Sequence, residues 1–401
     1  MAATSIVTIK SFSPMYKEGE EANNIHIVNV EEHDFDVVSQ KSLYKIGDKG
    51  CFIEPDYCLS NIPLFQSFIE PDGNPNRSKL GKNNRVKAIK FGFVNSKGNK
   101  VFSNGILLPL QEVLDYLNLT EITDDINLDE LLGITKYEEP ESKQLGDALG
   151  PLPQGMYMTD ETNFNACSKQ LEPLLPCQII GSLKYDGSSE SIFLKDENRF
   201  GICSRKLEKK LYDKVYPENI KRYFNKETKE KGYIDTNNND LFIPDEGIIA
   251  YCTNNNLSIN LELAKDDFVQ LGFPILEKLR QYGKPLTVRS EAFGMTLKGS
   301  GNKSNPHAKF PKSIRAYGID DYSKGYCEKF PMKDVIDICK ELDIEMVDIV
   351  FNKVFNTIEE IKDECENYFK DNLVEGIVVR TFDSNEFSAK IMNLTYDEQK
   401  N

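Results

Sequence analysis

Apolar positions in the first 110 residues come in short runs. IHIVNV (25–30), GCFIE (50–54), RVKAIKFG (85–92) and GILLPL (105–110) are bounded by Gly, Pro, Asn or Asp. Runs of that length between turn formers predict strands, and several in one short stretch predict a small barrel or sandwich. QEVLDYLNL (111–119) then predicts a helix. From about residue 160, strand and helix patterns mix without a regular βαβ period, which predicts an α+β architecture rather than a doubly wound sheet. Near the C-terminus Ile358, Ile361, Cys365 and Tyr368 share one helical face. Thr357 with Glu360 gives that helix a capping box, and Val354 or Phe355 gives it a staple. Gly, Pro and Ser at 140–155 predict a boundary. Asn runs at 237–239 and 254–256 predict a polar insertion between about 207 and 256. No internal repeat is found.

With 401 residues the chain fits two domains, or one large domain with an addition. Hydrophobic residues at 39% and charged residues at 28% exclude collagen-like and wholly disordered chains. No run of apolar residues is long enough for a membrane span, and the opening MAATSIVTIKSFSP lacks the layout of a signal peptide. Nine Cys without a CxxC pair, and only three His, argue against a disulfide framework or a Cys/His zinc site. A reducing, cytoplasmic compartment is the expectation, with the nucleus left open.

The net charge of −15 argues against broad adhesion to nucleic acid. The charge is unevenly distributed, however. No acid occurs between Asp72 and Glu112, where Arg77, Lys79, Lys82, Arg85, Lys87, Lys90, Lys97 and Lys100 lie. A second acid-free stretch, between Glu291 and Asp320, carries Lys298, Lys303, His307, Lys309, Lys312 and Arg315. Both are candidates for polyanion contact, since no nearby carboxylate in the sequence offsets them. A third basic cluster, Arg205 to Lys231, is diluted by acids and reads equally well as a solvated face. Glu112 to Asp147 is acidic, with Glu138, Glu139 and Glu141 around Pro140, and reads as a solvated helix and linker.

Candidate chemistry begins at IIGSLKYDGSSESIFL (179–194). Lys184 ends an apolar run, and a lysine at the end of a buried strand can serve as a nucleophile. Gly187 admits close backbone approach by a ligand. By itself the KxDG string is also compatible with a surface turn. Its ordered company sharpens the reading. SRK (204–206) follows a strand-like run, and LTVRSEAFGMTLKGSGN (286–302) puts Glu291 and Gly294 at a strand end before a Gly-rich basic loop. SIRAYGIDD (313–321) is a strand ending in acids. LVEGIVVRTFDSNEFSAKIMN (373–393) carries Glu375, Arg380 and then Lys390 on a second strand. Two Lys, one Arg and two Glu on strand ends suit a nucleotide site: amines meet phosphate, one carboxylate a ribose hydroxyl, the other a divalent cation.

In that order the segments resemble the motifs of the covalent nucleotidyltransferases. Within that superfamily the chain is similar to ATP-dependent RNA ligases of the Deinococcus/Naegleria type, which carry an N-terminal OB module. The extra sequence precedes KYDG, RVKAIKFG with NGILLPL is similar to the end of that module, and the chain stops about ten residues past Lys390. The resemblance implies an OB-like β-barrel domain over 1–110 and a helix and linker over 111–155. Residues 156–401 would form a nucleotidyltransferase domain, ATP-grasp-like, with two antiparallel sheets and helices. No C-terminal OB domain is expected.

The activity implied is joining of 3′-hydroxyl and 5′-phosphate RNA ends through lysyl-AMP and RNA-adenylate, in repair or nick sealing. Lys184 would be the catalytic nucleophile. Lys184, Asp186, Gly187, Arg205, Glu291, Tyr317 and Lys390 would bind ATP or AMP, with Glu291 on the ribose. Glu375 with Asp186 would hold Mg2+ or Mn2+. Arg85, Lys87, Lys90 and Arg205 would contact RNA, nicked duplex RNA above all, and the protein would act as a monomer without a membrane. Two departures stand out. Ser388 occupies the position of the first of two lysines usual in the last motif, which shifts phosphate neutralisation onto Arg380 or Arg205. Ile314 fills the slot of the adenine-stacking aromatic, leaving Tyr317 as the nearest ring or as a plain core residue. EGI occurs twice, and motif order selects Glu375 over Glu246, which precedes Glu291. The alternatives are a DNA-joining or capping transferase, and a nonenzymatic OB-type nucleic-acid-binding protein.

Overall fold

In the computed structural model, which describes residues 3–123, 125–137, 148–224, 226, 229–295, 297 and 305–396, the chain divides into two units. The first comprises Met1–Lys143, Glu161–Lys184 and Asp348–Asn401, and the second Gln144–Asp160 and Tyr185–Val347. Both mix strands with helices. The paired strands among the described residues run antiparallel except for Thr162–Asn163 beside Ser388–Met392.

The first unit opens with a five-stranded, barrel-like sheet in the order Ile106–Pro109, Lys49–Ile53, Thr4–Ser13, Ile25–Val30 and Val37–Gln40. Alternation explains its two cores. Val7, Ile9, Phe52 and Leu107 point to one side and meet Val28, Phe35 and Val37. Cys51, Ile53, Ile106 and Leu108 point to the other and meet Val113, Leu128 and Leu132. The helix expected after GILLPL is there, as Leu110–Leu117, and ends on Asn118 in the left-handed region. One strand begins later than the pattern predicts: Ile89–Val94 replaces 85–92. Arg85 instead bridges Cys58, outside the named strands.

The rest of the first unit is a sheet in the order Thr162–Asn163, Ser388–Met392, Gly376–Thr381, Cys177–Lys184 and Ile349–Phe355. Ile179, Ile377, Val379 and Ala389 line one face and bury against Phe164, Leu171, Ile361 and Cys365 of the helices Phe164–Leu171 and Ile358–Asp371. Thr357 caps the second helix by accepting from the Glu360 amide at 3.2 Å. The Glu360 carboxylate returns the bond one residue earlier than a capping box requires, to the Asn356 amide at 2.8 Å. The barrel-like part packs on these helices through polar contacts. Asp34 accepts from Ser168 at 2.7 Å and Lys362 at 2.8 Å, and Asn99 donates to Glu366 at 2.7 Å.

The second unit is built on seven strands: Ala148–Pro151, Leu207–Lys209, Arg199–Ser204, Ser188–Asp196, Leu286–Phe293, Ser313–Asp321 and Glu328–Lys329, in that order. The helix Asp267–Tyr282 lies on this sheet, started by Asp266, whose carboxylate accepts from the Phe268 amide at 2.9 Å. Gly272 permits the approach: a Cβ there would meet Glu190 Oε1 at 2.2 Å. Tyr212–Val215 pairs with Asn260–Leu263, and Ile220–Phe224, Lys231–Asp235 and Leu241–Pro244 form a separate three-stranded sheet beside the helix Ile248–Asn254. All nine cysteines are free thiols, and seven of them are buried. Glu138, Glu139, Pro140 and Glu141, and Lys298 and Lys303 of the Gly-rich loop, lie outside the described residues.

Candidate active site

Strand register explains why residues almost two hundred positions apart gather in the first unit. Lys184 pairs with Gly376 and Ile180 with Arg380 across one strand boundary. Gly376 pairs with Met392, Val378 with Lys390 and Arg380 with Ser388 across the next. Directly opposed residues of an antiparallel pair point to the same side. Lys184, Arg380, Ser388 and Lys390 therefore share one face of this sheet, and the apolar core covers the other. Glu375 immediately precedes the strand Gly376–Thr381 rather than lying on it. The Asn393 amide donates to its carbonyl at 2.9 Å. Lys184 Nζ donates to Glu375 Oε2 at 2.7 Å, with the carboxylate side chain 9% exposed and the lysine 28%.

Ser388 has a definite role on the same face. Its hydroxyl donates to Glu161 Oε2 at 2.6 Å and accepts from Arg380 Nε at 3.0 Å. Arg380 closes the triangle on Glu161 Oε1 at 2.8 Å. The guanidinium is thus held by a carboxylate and a hydroxyl, with both ends of the ion pair largely buried.

The second unit orders another group. Asp186 is buried, and its carbonyl accepts from Asn305 Nδ2 at 2.6 Å. Tyr185 is buried too, stacked on His307 at 4.2 Å and tilted against Phe293 at 4.6 Å. The close neighbour of Gly187 is backbone: a Cβ would lie 2.3 Å from the Ala292 carbonyl and 3.1 Å from Glu291 Cγ. Ser189 pairs with Glu291, and Glu291 with Arg315, across three strands. The register slips between Arg289 and Ser290, and Tyr317 is the extra residue on the facing strand, a bulge of the kind that re-aims a side chain. Its hydroxyl lies 2.6 Å from Thr159 Oγ1 and 3.4 Å from Ser189 Oγ. Burial, with the Glu291 carboxylate nearby, pushes that hydroxyl above the ordinary tyrosine range. Behind it Arg289 forms an ion pair with Asp320 at 2.7 Å, both essentially buried, and stands 4.6 Å from the Tyr157 ring centre. Arg205 follows the strand Arg199–Ser204 and meets both oxygens of Asp160 at 3.0 Å.

Acid-free sequence does not mean acid-free surroundings. Arg85 Nε donates to Asp56 at 3.0 Å, and its guanidinium stands 4.5 Å from the Tyr137 ring centre. Lys97 pairs with Glu359 and Asp363 of the helix Ile358–Asp371. In the second stretch Lys312 pairs with Asp267 at 2.6 Å and Arg315 with Glu345 at 2.8 Å. These partners lie far away in sequence, so a linear charge map cannot find them. Lys87 makes no ion pair among the described residues. Glu246 is exposed on the short 3-10 turn Asp245–Gly247.

Sequence reasoning missed Glu161, Thr159, Asn305 and the Arg289–Asp320 pair. Asn305 had a local signal: it opens the turn Pro306–Lys309 by accepting from the His307 amide at 2.8 Å. The others are single residues whose partners come from remote strands.

No protein-family model matches the sequence, and no curated protein matches it. Solved structures do match. Naegleria gruberi RNA ligase with PPi superposes with a TM-score of 0.68 at 19% identity, covering 100% of this chain and 98% of that one. A mutant of the same enzyme with ATP and Mn gives 0.67 at 20%, covering 100% and 99%. Another mutant, with AMP and Mn, gives 0.65 at 19%, covering 99% and 98%. Over nearly its whole length, the chain has the fold of the Naegleria gruberi RNA ligase.

Proposed function

We propose that this protein is an ATP-dependent RNA ligase, with an N-terminal OB-like module and a nucleotidyltransferase part, that joins 3′-hydroxyl and 5′-phosphate RNA ends. The observation that carries the reading is Lys184 at a strand end, 2.7 Å from Glu375, on the sheet face that also bears Arg380 and Lys390. Fold likeness to an RNA ligase found with ATP, with AMP and Mn, and with PPi supports it.

Three steps follow. The deprotonated Lys184 amine attacks the α-phosphorus of ATP; a P–N bond forms, the bond to pyrophosphate breaks, and the amine proton leaves. A 5′-phosphate oxygen of RNA then attacks the lysyl-AMP phosphorus. The P–N bond breaks, the lysine takes back a proton, and RNA-adenylate forms. Finally a 3′-hydroxyl attacks the 5′-phosphate, loses its proton and expels AMP.

The other residues have electrostatic and positioning roles. Lys390 neutralises phosphate oxygens, and Arg380 and Arg205 do so on exchanging Glu161 and Asp160 for phosphate. Glu291 binds the ribose, and Tyr317 lies against the adenine. Glu375 of the first unit would hold a divalent cation, and Asp186 is the candidate carboxylate of the second unit. Both are buried hard-oxygen donors. That suits Mg2+ or Mn2+, which take one or two carboxylates together with water and substrate phosphate. When bound, the cation stabilises negative charge on the transferring phosphoryl group. Arg85, Lys87 and Lys90 contact the RNA, a nicked duplex in repair, and the protein works as a cytoplasmic monomer.

The test is covalent labelling. Incubation with α-labelled ATP and Mg2+ or Mn2+ yields one AMP per chain, mapped to the peptide containing Lys184 and lost in Lys184→Met. Label on another lysine, or label from GTP but not ATP, overturns the assignment. A panel of RNA and DNA ends then separates RNA joining from DNA joining.

A further inference from the structure

The three-stranded sheet of Ile220–Phe224, Lys231–Asp235 and Leu241–Pro244 has one packed face and one open face. Ile220, Tyr233 and Ile243 point inward and form a small core with Ile248, Cys252 and Tyr251. Register places Lys221, Tyr223, Gly232, Ile234, Phe242 and Pro244 on the opposite face. An antiparallel sheet packed on one side ordinarily turns polar residues outward. Here the outward residues include two aromatic rings, Tyr223 and Phe242, each 37% exposed.

The rings belong to the two outer strands, yet their centres lie 5.8 Å apart, edge to face. Gly232 on the middle strand allows this, since a Cβ there would sit 2.6 Å from the Phe242 ring. The open face holds a cation, Lys221, and no carboxylate at its strand positions. From Lys221 to Lys231 the sequence has five cations and two carboxylates, whereas Asp235 to Glu246 has four carboxylates and no cation. Arg222, on the packed side, is already held by Asp245. An aromatic pair on an open sheet face, beside Lys221 and a net-positive hairpin, matches how single-stranded nucleic acid is bound without sequence preference: bases stack on rings while cations track the backbone.

We propose that this sheet face is a second RNA contact, at which unpaired bases of single-stranded RNA stack on Tyr223 and Phe242 beside Lys221. The proposal takes RNA rather than DNA from the reading of the chain as an RNA ligase. Its test measures binding directly, without ATP or joining, so failure here is separate from failure of labelling at Lys184.

Two variants of the full chain test it. The sequence has no Trp, so Tyr223→Trp places a single indole on the face. Titrating a fluorescein-free oligouridylate quenches its emission if bases stack there, and fully paired duplex RNA does not. The pair Tyr223→Ala with Phe242→Ala weakens binding of fluorescein-labelled oligouridylate at low salt by about tenfold or more. Indole emission that ignores single strands, or that duplex quenches equally, overturns the proposal. So does unchanged affinity in the double variant, including the case in which that variant instead loses a bound protein partner.

Discussion

Lys184 Nζ and Glu375 Oε2 lie 2.7 Å apart, and the pairing of Lys184 with Gly376 fixes that contact in the strand register. Glu246 carries the same local string, Glu-Gly-Ile, on an exposed turn. Glu375→Ala is expected to slow formation of lysyl-AMP by about a hundredfold or more, as loss of a cation-holding carboxylate should. Glu246→Ala is expected to change stability by no more than about 0.5 kcal/mol and to leave that rate alone. Single-turnover labelling of folded variants checks both. A dead Glu246→Ala beside an active Glu375→Ala reverses the assignment.

Ser388 bridges Glu161 and Arg380, so its replacement reports on the triangle. Ser388→Ala loses two hydrogen bonds and is expected to lower stability by about 1–2 kcal/mol. Arg380→Ala leaves Glu161 without its cation in a largely buried place and is expected to cost about 3 kcal/mol or more. Urea unfolding distinguishes them, and equal effects would show that the hydroxyl, not the ion pair, holds the site together.

Arg289 and Asp320 form the most deeply buried ion pair among those described, at 3% and 2% side-chain exposure. Removing one partner strands the other charge, so Arg289→Met is expected to cost about 3–5 kcal/mol. Adding Asp320→Leu should recover a large part of that loss, because the pair itself contributes far less than its disruption removes. A double-mutant cycle in denaturant gives the coupling directly, and simple additivity of the two losses would refute it.

Acid stability in the barrel-like region is expected to reflect two opposed titrations. Burial holds His33 down to about 4, from an ordinary value of 6.5. Its contribution is fully present above pH 6.5 and is lost as pH falls toward 4. Burial pushes Asp36 up to about 6, with Glu366 among the carboxylates reinforcing it. Its protonated form favours the folded state, so that contribution grows as pH falls from 6 toward 4. Burial also pushes Glu54 up to about 7, so the wild-type response to acid is expected to lie between those of the two variants. His33→Gln should rise in stability on acidification, and Asp36→Asn should fall. Parallel curves for all three proteins would rule this out.

Salt dependence separates the basic residues of the N-terminal stretch. Lys87 makes no ion pair among the described residues, whereas Asp56 already holds Arg85. Lys87→Ala is expected to lower the log–log salt slope of RNA binding by about one, and Arg85→Ala by distinctly less. A larger effect at Arg85 would mean that it leaves Asp56 for phosphate.

The strand placement of the candidate residues was legible because apolar runs mark strand ends in the local sequence. Lys184 ends an apolar strand, Glu291 lies near the end of Leu286–Phe293, and Lys390 lies on Ser388–Met392. Motif order did the rest, since it carries fold information that hydrophobic periodicity lacks. What escaped were pairings between distant segments. Arg85 read as part of a strand because RVKAIKFG alternates, yet its ion pair with Asp56 and the Cys58 bridge hold it outside. Ser388 read as a missing lysine because its partner Glu161 lies 227 residues earlier. Basic runs looked uncompensated because Glu359, Asp363 and Glu345 come from other elements.

The free thiols have a practical consequence. Burial pushes Cys51 up to about 12, Cys167 and Cys339 likewise, and also raises Cys203 and Cys365. Such groups are inert to alkylation until their surroundings open. Only Cys58 and Cys177 are partly accessible in the native chain. Cys252 lies within the small aromatic core behind Tyr223 and Phe242, Cys203 within the seven-stranded sheet, and Cys365 on the buried face of the helix Ile358–Asp371. A timed exposure to iodoacetamide, read peptide by peptide, turns the protein into its own set of clocks, each striking when one neighbourhood breathes.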